Sequence, residues 1–403
     1  MFLVMGVLEG VLLADVVRTL TGSAAWGVGA VAVWLADPAT LIFRHQFFYP
    51  EILSAALLAV MWGGARCLGR GRRGGLWVLA VGVIVCVNTS SLYHPVWGIG
   101  VFAATIGARV LIQRRRGEGA RSAASVPVAV ILTAGALAWP AKNAWVFGQF
   151  TTSTWAGYNA ARSTDLVQSV VNDDNVQRRA DRETAEFVAR HPAVRTAVVA
   201  VRAKSDGSMN WNQYRFVVLN EEFGARVWHW RTSHRAEWLR TTVAHYAMWT
   251  RPSYLDGYYE QPDGPDRPAY RGWQGSCSAL LYGDLSTVVR RIASSLAQAA
   301  TSYVTGRPVP WTVFGVLILP GILIGACAAH VRRFSCHGSV ASAVCMLAVA
   351  IVLWVLVIPC LTDGHEGNRM RYAVSPLVVA LGVDLALRMR NALGHAPADE
   401  RPS

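Results

Sequence analysis

Nine apolar runs constrain this chain more than any other feature of its sequence. They cover residues 1–17, 24–42, 52–65, 76–91, 95–111, 125–146, 311–329, 339–361 and 373–387. A transmembrane helix needs about 20 apolar residues, within a range of roughly 17–25, and several runs reach that length. Charged residues make up 16% of the chain, against about 25% in soluble domains. We therefore predict an all-α polytopic membrane protein with about nine transmembrane helices.

Arginine distribution predicts the orientation of these spans. Outside the longest polar segment, the arginines fall in clusters between the runs: 18; 66, 70, 72 and 73; 109, 114, 115, 116 and 121; 332 and 333; 388 and 390. The clusters alternate with the spans, so one side of the membrane receives all of them, and that side is expected to be cytoplasmic. The prediction is a multi-pass plasma-membrane protein with Met1 outside and Ser403 inside. Topology thereby accounts for the net charge of +13, and nucleic acid is not an expected partner.

The longest polar segment predicts a separate domain. Residues 147–310 are too many for a structureless loop, and residues 210–223 and 236–249 carry aromatic side chains at helical spacing. We predict a mostly helical extracytoplasmic domain between spans six and seven, resting partly on membrane lipids through Trp and Tyr. The predicted organisation is a six-span module (1–146), this domain (147–310), three further spans (311–390) and a cytoplasmic tail (391–403).

The stretch 363–372 is the strongest candidate site. It places ionisable and polar groups between two apolar runs, where charges are expensive unless they meet water, a partner or a ligand. The candidate substrate-binding residues here are Asp363, His365, Glu366, Asn368, Arg369 and Arg371. Guanidinium groups match phosphate in shape and charge, which favours a phosphate or pyrophosphate site. The alternative is that the arginines pair with the two acids of the same stretch.

A second outer loop carries the candidate catalytic acids Asp37 and Glu51, with Arg44 and His45 between them as candidate substrate-binding residues. Either acid could take a proton from an acceptor. Alternatively, the loop is an aromatic belt, and Glu51 starts a helix whose dipole favours a carboxylate.

Two further outer stretches supply candidate substrate-binding residues. Tyr93 and His94 lie in a turn where His94 is a candidate phosphate ligand, or the exposed start of a Pro-initiated helix. Lys142 and Asn143 end the sixth run, where a lysine meets an anionic headgroup or simply reaches the interface. Trp155 follows in a Ser/Thr/Gly-rich stretch whose composition suits carbohydrate.

Three acids lie inside the predicted spans. Asp15 is expected to pair with Arg18, and Asp384 with Arg388 four residues on. Glu9 lies deeper and must face neighbouring helices, and the alternative for it is a proton or ion path.

The seven cysteines show no CxxC pair and no His/Cys zinc spacing, so no metal site is predicted. Most are interpreted as small core residues. Only Cys277 and Cys360 fall on the predicted outer side, where a disulfide between them is an alternative.

Three stretches carry a family resemblance: 48–58 (FYPEILSAALL), 142–148 (KNAWVFG) before the large outer segment, and 366–376 (EGNRMRYAVSP) opening the last run. With these stretches, the layout resembles the membrane-embedded glycosyltransferases of the GT-C class, including the protein mannosyltransferase and lipid A aminoarabinose transferase groups of glycosyltransferase family 39. It implies transfer of a sugar from a polyprenyl-phosphate carrier to an extracytoplasmic acceptor with inversion. The implied donor is the lipid-linked sugar, without a nucleotide cofactor, and some members use a divalent metal.

The chain departs from this family pattern in two ways. The family's large outer domain follows a seventh span and its first span runs from inside to outside, whereas six runs precede the domain here. The resemblance therefore implies that one span and the first outer loop, with the principal catalytic acid, are missing before Met1. Asp37 or Glu51 would then match the family's second acid. The alternatives are a transporter or flippase for a lipid-linked anion, and a truncated, inactive relative.

Overall fold

The computed structural model describes a mainly helical chain over most of its length. The described residues are 2–36, 40, 49–70, 73–118, 125–153, 155–162, 164, 166–191, 210, 213–249, 310–362 and 367–394. All the regular secondary structure assigned to them is helical. The helices are α1 (Phe2–Thr21), α2 (Ala24–Ala36), α3 (Tyr49–Arg70), α4 (Arg73–Thr89), α5 (Pro95–Arg115), α6 (Ser125–Phe147), α7 (Ala156–Ala161), α8 (Leu166–Val171), α9 (Asp174–Arg190), α10 (Arg215–Ser233), α11 (Arg235–Trp249), α12 (Pro310–His337), α13 (Val340–Thr362) and α14 (Gly367–Gly394).

Five described helices have the length and apolar composition of a membrane span. They contain the segments Pro50–Gly69, Pro95–Arg115, Ser125–Phe147, Val340–Leu361 and Met370–Ala392. Two shorter apolar helical segments, Ala24–Leu35 and Gly74–Thr89, lie within α2 and α4. The prediction of an all-α membrane protein is therefore confirmed as a class. The number of nine spans stays a prediction.

The chain divides into two compact units. Unit 1 comprises Met1–Ala136, Trp249–Leu356 and Asn368–Ser403, and unit 2 comprises Leu137–Met248 and Val357–Gly367. The predicted organisation, with boundaries at 146, 310 and 390, stays a prediction.

In unit 1, glycines allow α3 and α4 to pack as a close antiparallel pair. A Cβ atom added at Gly63 would lie 2.6 Å from the carbonyl oxygen of Gly75, and one added at Gly82 would lie 2.8 Å from that of Ala56. Small residues permit such backbone approach between helices in lipid, where close packing contributes to helix association.

Contacts in unit 1 gather the arginine-bearing helix ends together. Asp15 near the end of α1 accepts from Arg66 on α3 at 2.6 Å and from the Trp62 indole at 2.8 Å. Farther along α3, the Cys67 sulfur lies 3.7 Å from an Arg109 nitrogen on α5. These contacts bring the C-terminal ends of α1, α3 and α5 to one end of the unit.

The ends of the last three helices join the same set. Arg115 of α5 donates to the Phe334 carbonyl of α12 at 2.8 Å. His330 of α12 contacts Ser342 at the start of α13 and Asp384 near the end of α14. We call this the arginine-rich end. The sequence clusters at 18, 66, 109, 115 and 388 thus lie at one end, while the side of the membrane that it faces stays a prediction.

The other end of unit 1 is called the Glu51 end. Glu51 precedes Arg66 by 15 residues, or about 22 Å of helix. The turn after α4 lies at this end because α4 runs antiparallel to α3, and Trp354 of α13 donates to the Leu92 carbonyl there at 2.9 Å. Arg371 precedes Asp384 by 13 residues, or about 20 Å of α14, so it also belongs to this end.

Unit 2 has its own apolar core. Its buried members come from α7 to α10 and the turn before α10: Ala160, Ala161, Val170, Val176, Ala180, Phe187, Tyr214, Val217, Val218, Leu219, Phe223 and Val227. The rings of Phe187 and Tyr214 stack with centroids 3.9 Å apart. The stretches at 210–223 and 236–249, which the sequence predicts to be helical, overlap α10 and α11.

Gly157 on α7 and Asn220 on α10 hold these two helices in close contact. A Cβ at Gly157 would lie 2.2 Å from the Asn220 carbonyl oxygen, so only glycine permits this approach. The Asn220 side-chain oxygen accepts from the backbone N–H groups of Gly157 and Tyr158 at 2.7 and 3.2 Å. These bonds satisfy donors at the start of α7, which have no partner inside the helix.

Candidate functional site

The structure describes part of the predicted site. Six of the candidate residues lie outside the described residues: Asp37, Arg44, His45, Asp363, His365 and Glu366. The backbone of Asn368 and Arg369 lies in the first turn of α14. The remaining candidates are Glu51, Tyr93, His94, Lys142, Asn143, Trp155 and Arg371.

Glu51 is a buried carboxylate at the Glu51 end of unit 1. It lies in the first turn of α3 and only 2% of the residue is exposed. The positive end of the helix dipole favours an ionised carboxylate at this position. Burial of an acid in an apolar helix bundle is expensive, and in membrane proteins such an acid usually has a function.

The turn before α5 combines a buried ring with an exposed one. Tyr93 is fully buried and its ring lies 4.7 Å from that of Trp97. His94 is exposed and is the N-cap of α5, with its Nδ1 accepting from the Val96 N–H at 3.3 Å. The predicted Pro-initiated helix start is confirmed. Because Nδ1 accepts, the neutral imidazole carries its proton on Nε2, which can donate to an anion.

The first turns of α14 carry two arginines. Arg369 lies in the first turn, and Arg371 follows two residues later and is half-buried. Cations at a helix N-terminus oppose its dipole, whereas an anion there is favoured by both the dipole and the cations. Burial of Tyr372 to 1% exposure holds this turn of α14 within unit 1.

Lys142, in unit 2, is an ammonium group held by aromatic rings. Its Nζ lies 4.2 Å from the ring centroid of Trp139 and 5.4 Å from that of Phe147. It also donates to the Asn143 side-chain oxygen at 3.4 Å, and Asn143, 2% exposed, donates to the Thr151 carbonyl at 2.7 Å. Cation–π contacts and this relay orient Lys142, while its exposure leaves it open to an anion.

Trp155 packs within unit 2. Its ring stacks on Phe216 with centroids 5.6 Å apart and an interplanar angle of 3°, and the Tyr158 ring meets its edge. Trp155 remains half-buried, so part of its surface is open to a ligand. The face against Phe216 is already occupied.

A buried polar cluster at the arginine-rich end was not predicted. The expected pair is present, with Arg388 donating to both Asp384 oxygens at 2.8 and 3.1 Å. In addition, the His330 Nε2 lies 2.7 Å from Asp384 Oδ2, and its Nδ1 lies 3.0 Å from the Ser342 hydroxyl. The Cys345 thiol completes the cluster. The i,i+4 spacing predicts the Asp384–Arg388 pair within α14, but no local spacing predicts contacts among three helices.

Two other sequence expectations about membrane acids are confirmed. Asp15 pairs with Arg18 at 2.5 Å as well as with Arg66. Glu9 is fully buried on α1, as expected for a residue that faces neighbouring helices.

Comparisons with known proteins find no match to a family model, a curated protein or a solved structure.

Proposed function

We propose that this protein is an integral membrane glycosyltransferase that moves a sugar from a polyprenyl-phosphate carrier to an acceptor at the Glu51 end. The acceptor is a cell-envelope glycan, lipid or protein, and the Glu51 end is extracytoplasmic. The observation that carries the proposal is the buried Glu51 carboxylate at the same end of unit 1 as the basic start of α14. One group suits proton removal and the other suits a departing phosphate.

The chemistry needs these two functions at the reacting centre. A carboxylate, Glu51 or Asp37, takes the proton of an acceptor hydroxyl or amine as the acceptor attacks the anomeric carbon. The bond from that carbon to the carrier's phosphate oxygen breaks, and the polyprenyl phosphate leaves. Arg369 and Arg371 stabilise the charge that develops on it. Since the displacement is direct, it inverts the anomeric configuration and needs no nucleotide.

The lipid nature of the donor is supported by where these groups lie. Arg371 follows the start of a candidate span, Met370–Ala392, so it belongs at the level of lipid headgroups. A polyprenyl phosphate places its phosphate at that level with its chain in the hydrocarbon. His94 and Lys142 are further candidate donors to the same class of anion.

Binding of polyprenyl phosphate by purified Arg369→Gln and Arg371→Gln tests the proposal. A charge-assisted hydrogen bond is worth roughly 1.5–3 kcal/mol, so each variant should bind about tenfold to a hundredfold more weakly. Arg→Lys should restore part of the affinity, since it keeps the charge and loses the guanidinium fork. Arg114→Gln, an exposed arginine near the end of α5, is the matched control and should bind like the wild type.

Thermal stability is measured on the same samples. If Arg369 and Arg371 only pair with acids of their own stretch, the substitutions lower stability and leave the affinity of the folded protein unchanged. That result would contradict the lipid-phosphate proposal.

A transporter or flippase for a lipid-linked anion is the second candidate, favoured by the fully buried Glu9 on α1. Proteoliposomes containing a labelled sugar carrier distinguish the two functions. A transferase converts the label to a product that no longer extracts with the carrier. A flippase changes only the leaflet in which the intact carrier is found.

A further inference from the structure

Three buried side chains with metal-binding atoms meet at the arginine-rich end of unit 1. His330 lies on α12, Cys345 on α13 and Asp384 on α14, and one ligand atom of each lies within 4.8 Å of the others. Exposure is 0% for His330 and Cys345 and 1% for Asp384. We propose that these residues bind a zinc ion that ties the three helices together. The proposal is independent of the glycosyltransferase proposal, since the two sites lie at opposite ends of unit 1.

The donor set selects the metal. A thiolate, an imidazole and a carboxylate are all established zinc ligands, and thiolate is a poor ligand for magnesium or calcium. Zinc takes four ligands in a tetrahedron. Three protein ligands and one water molecule complete that tetrahedron, as in zinc sites that keep an open fourth position.

Outer contacts typical of zinc sites are already in place. The Ser342 hydroxyl oxygen, 3.0 Å from His330 Nδ1, can accept a hydrogen bond from the Nδ1–H group, which leaves Nε2 for the metal. Arg388 donates to both oxygens of Asp384 and fixes the carboxylate. Ligating histidines and carboxylates generally have such partners.

Charge and proton balance favour zinc in this buried position. On binding, Cys345 loses its thiol proton, and neutral His330 keeps a single ring proton on Nδ1. The charges of Zn²⁺, one thiolate and one carboxylate then cancel, which suits an apolar bundle. Arg388, whose side chain is 19% exposed, keeps its charge towards the surface.

The ligand atoms need only a small rearrangement. Bonds of about 2.0 Å in a tetrahedron place nitrogen and oxygen ligands about 3.3 Å apart. His330 Nε2 and Asp384 Oδ2 are 2.7 Å apart and separate by about 0.6 Å to meet this geometry. The Cys345 sulfur, which lies within 4.8 Å of the other ligand atoms, moves towards them by up to roughly 1 Å.

Metal content of the full-length protein in detergent is the test. After stripping with chelator and dialysis against zinc, the wild type should retain one zinc per chain by mass spectrometry of the element. Loading with cobalt(II) should give the charge-transfer absorption of a thiolate ligand. Zinc should also raise the melting temperature, because it binds only the folded arrangement.

Cys345→Ser is the decisive variant, since it keeps the His330–Asp384–Arg388 contacts and removes the thiolate. It should lose the thiolate band and the zinc-dependent rise in melting temperature. Cys86→Ser, a buried cysteine on α4, is the matched control and should keep both.

Absence of zinc uptake by the folded wild type would overturn the proposal, and so would equal uptake by Cys345→Ser. The zinc-dependent rise in melting temperature and the thiolate band are read without any sugar-transfer assay. A failure here is therefore distinguishable from a failure of the proposed function.

Discussion

Each of the two units contains an arginine–carboxylate network, and the two networks differ in their access to water. In unit 1, Asp384 accepts from Arg388 and His330, and its side chain is 2% exposed. In unit 2, Arg226 donates to Asp173 at 2.5 Å and to Glu222 at 2.8 Å, with side chains 21–30% exposed. The same kind of ion pair is therefore buried among helices in unit 1 and partly exposed to water in unit 2.

Water access decides what each network contributes. A buried charge that loses its partner is left without solvent, so breaking a buried pair typically costs about 3–5 kcal/mol. Breaking an exposed pair costs less stability, because water replaces the lost partner. The buried network thus specifies which helices of unit 1 meet, whereas unit 2 depends mainly on its apolar core.

The largest expected effect comes from Asp384→Asn. It leaves Arg388 and His330 without their carboxylate, and we expect a loss of about 3–5 kcal/mol in the free energy of unfolding. Equilibrium unfolding in detergent, with chelator present so that no metal contributes, measures it. Glu186→Gln, at an exposed position of α9, is the control, expected within about 0.5 kcal/mol of the wild type. A loss as small as the control's for Asp384→Asn would remove the distinction between the two networks.

The second test asks whether unit 2 depends on packing. In Gly157→Ala the new methyl group meets the backbone of α10, and overpacking of this kind costs about 1–3 kcal/mol. Gly224→Ala is the matched substitution on α10, where a Cβ meets only the Gly157 Cα at 4.0 Å. It should be neutral or stabilising by up to about 1 kcal/mol, because alanine is the better helix former.

Hydrogen exchange of α7 and α10 amides in the full-length protein measures the effect of both glycine substitutions. Faster exchange in Gly157→Ala alone supports close packing as the main constraint. Equal protection in the two variants would show that the interface adapts to a methyl group.

Local patterns predicted the class of the fold, an all-α membrane protein. Hydropathy located the apolar helices, since burial in lipid or in a bundle requires long apolar runs. It underestimated helix lengths: α12 continues to His337, beyond the run that ends at 329. Hydropathy marks the part of a helix that meets lipid, whereas the good helix formers Arg332 and Arg333 favour continuing α12 into water.

The candidate site was only partly predictable, for physical reasons. The pair of Asp384 with Arg388 follows from helical spacing, but His330 lies 54 residues from Asp384 along the chain. Such a contact depends on how α12 packs against α14, and no local sequence pattern specifies that packing. The burial of Tyr93 likewise follows from tertiary structure, which the turn alone does not predict. By contrast, the contact of Lys142 with Trp139, three residues earlier on α6, follows from helical spacing.

The smallest expected effect is that of Asp173→Asn in the exposed network. Asparagine is as good an N-cap as aspartate, so the cap of α9, which bonds the N–H groups of Asn175 and Val176, is kept. Only the charge opposite Arg226 is lost. The Arg226 hydrogen bond and these backbone N–H groups hold the pKa of Asp173 below its usual value of 3.8, and the two acids beside Arg226 raise the pKa of that arginine.

A carboxylate with a lowered pKa stabilises the folded state above its unfolded pKa, which is about 3.9. This contribution is lost as the pH falls through the lower, folded pKa. Between pH 7 and 5 the variant should therefore show a small, constant increase in hydrogen exchange in α9 and α10, well below that of Gly157→Ala. Below about pH 4 the difference from the wild type should shrink, because protonated Asp173 resembles asparagine. Exchange of both proteins compared at the same pH measures this. A difference that stays the same below pH 4 would show that it does not come from the charge of Asp173.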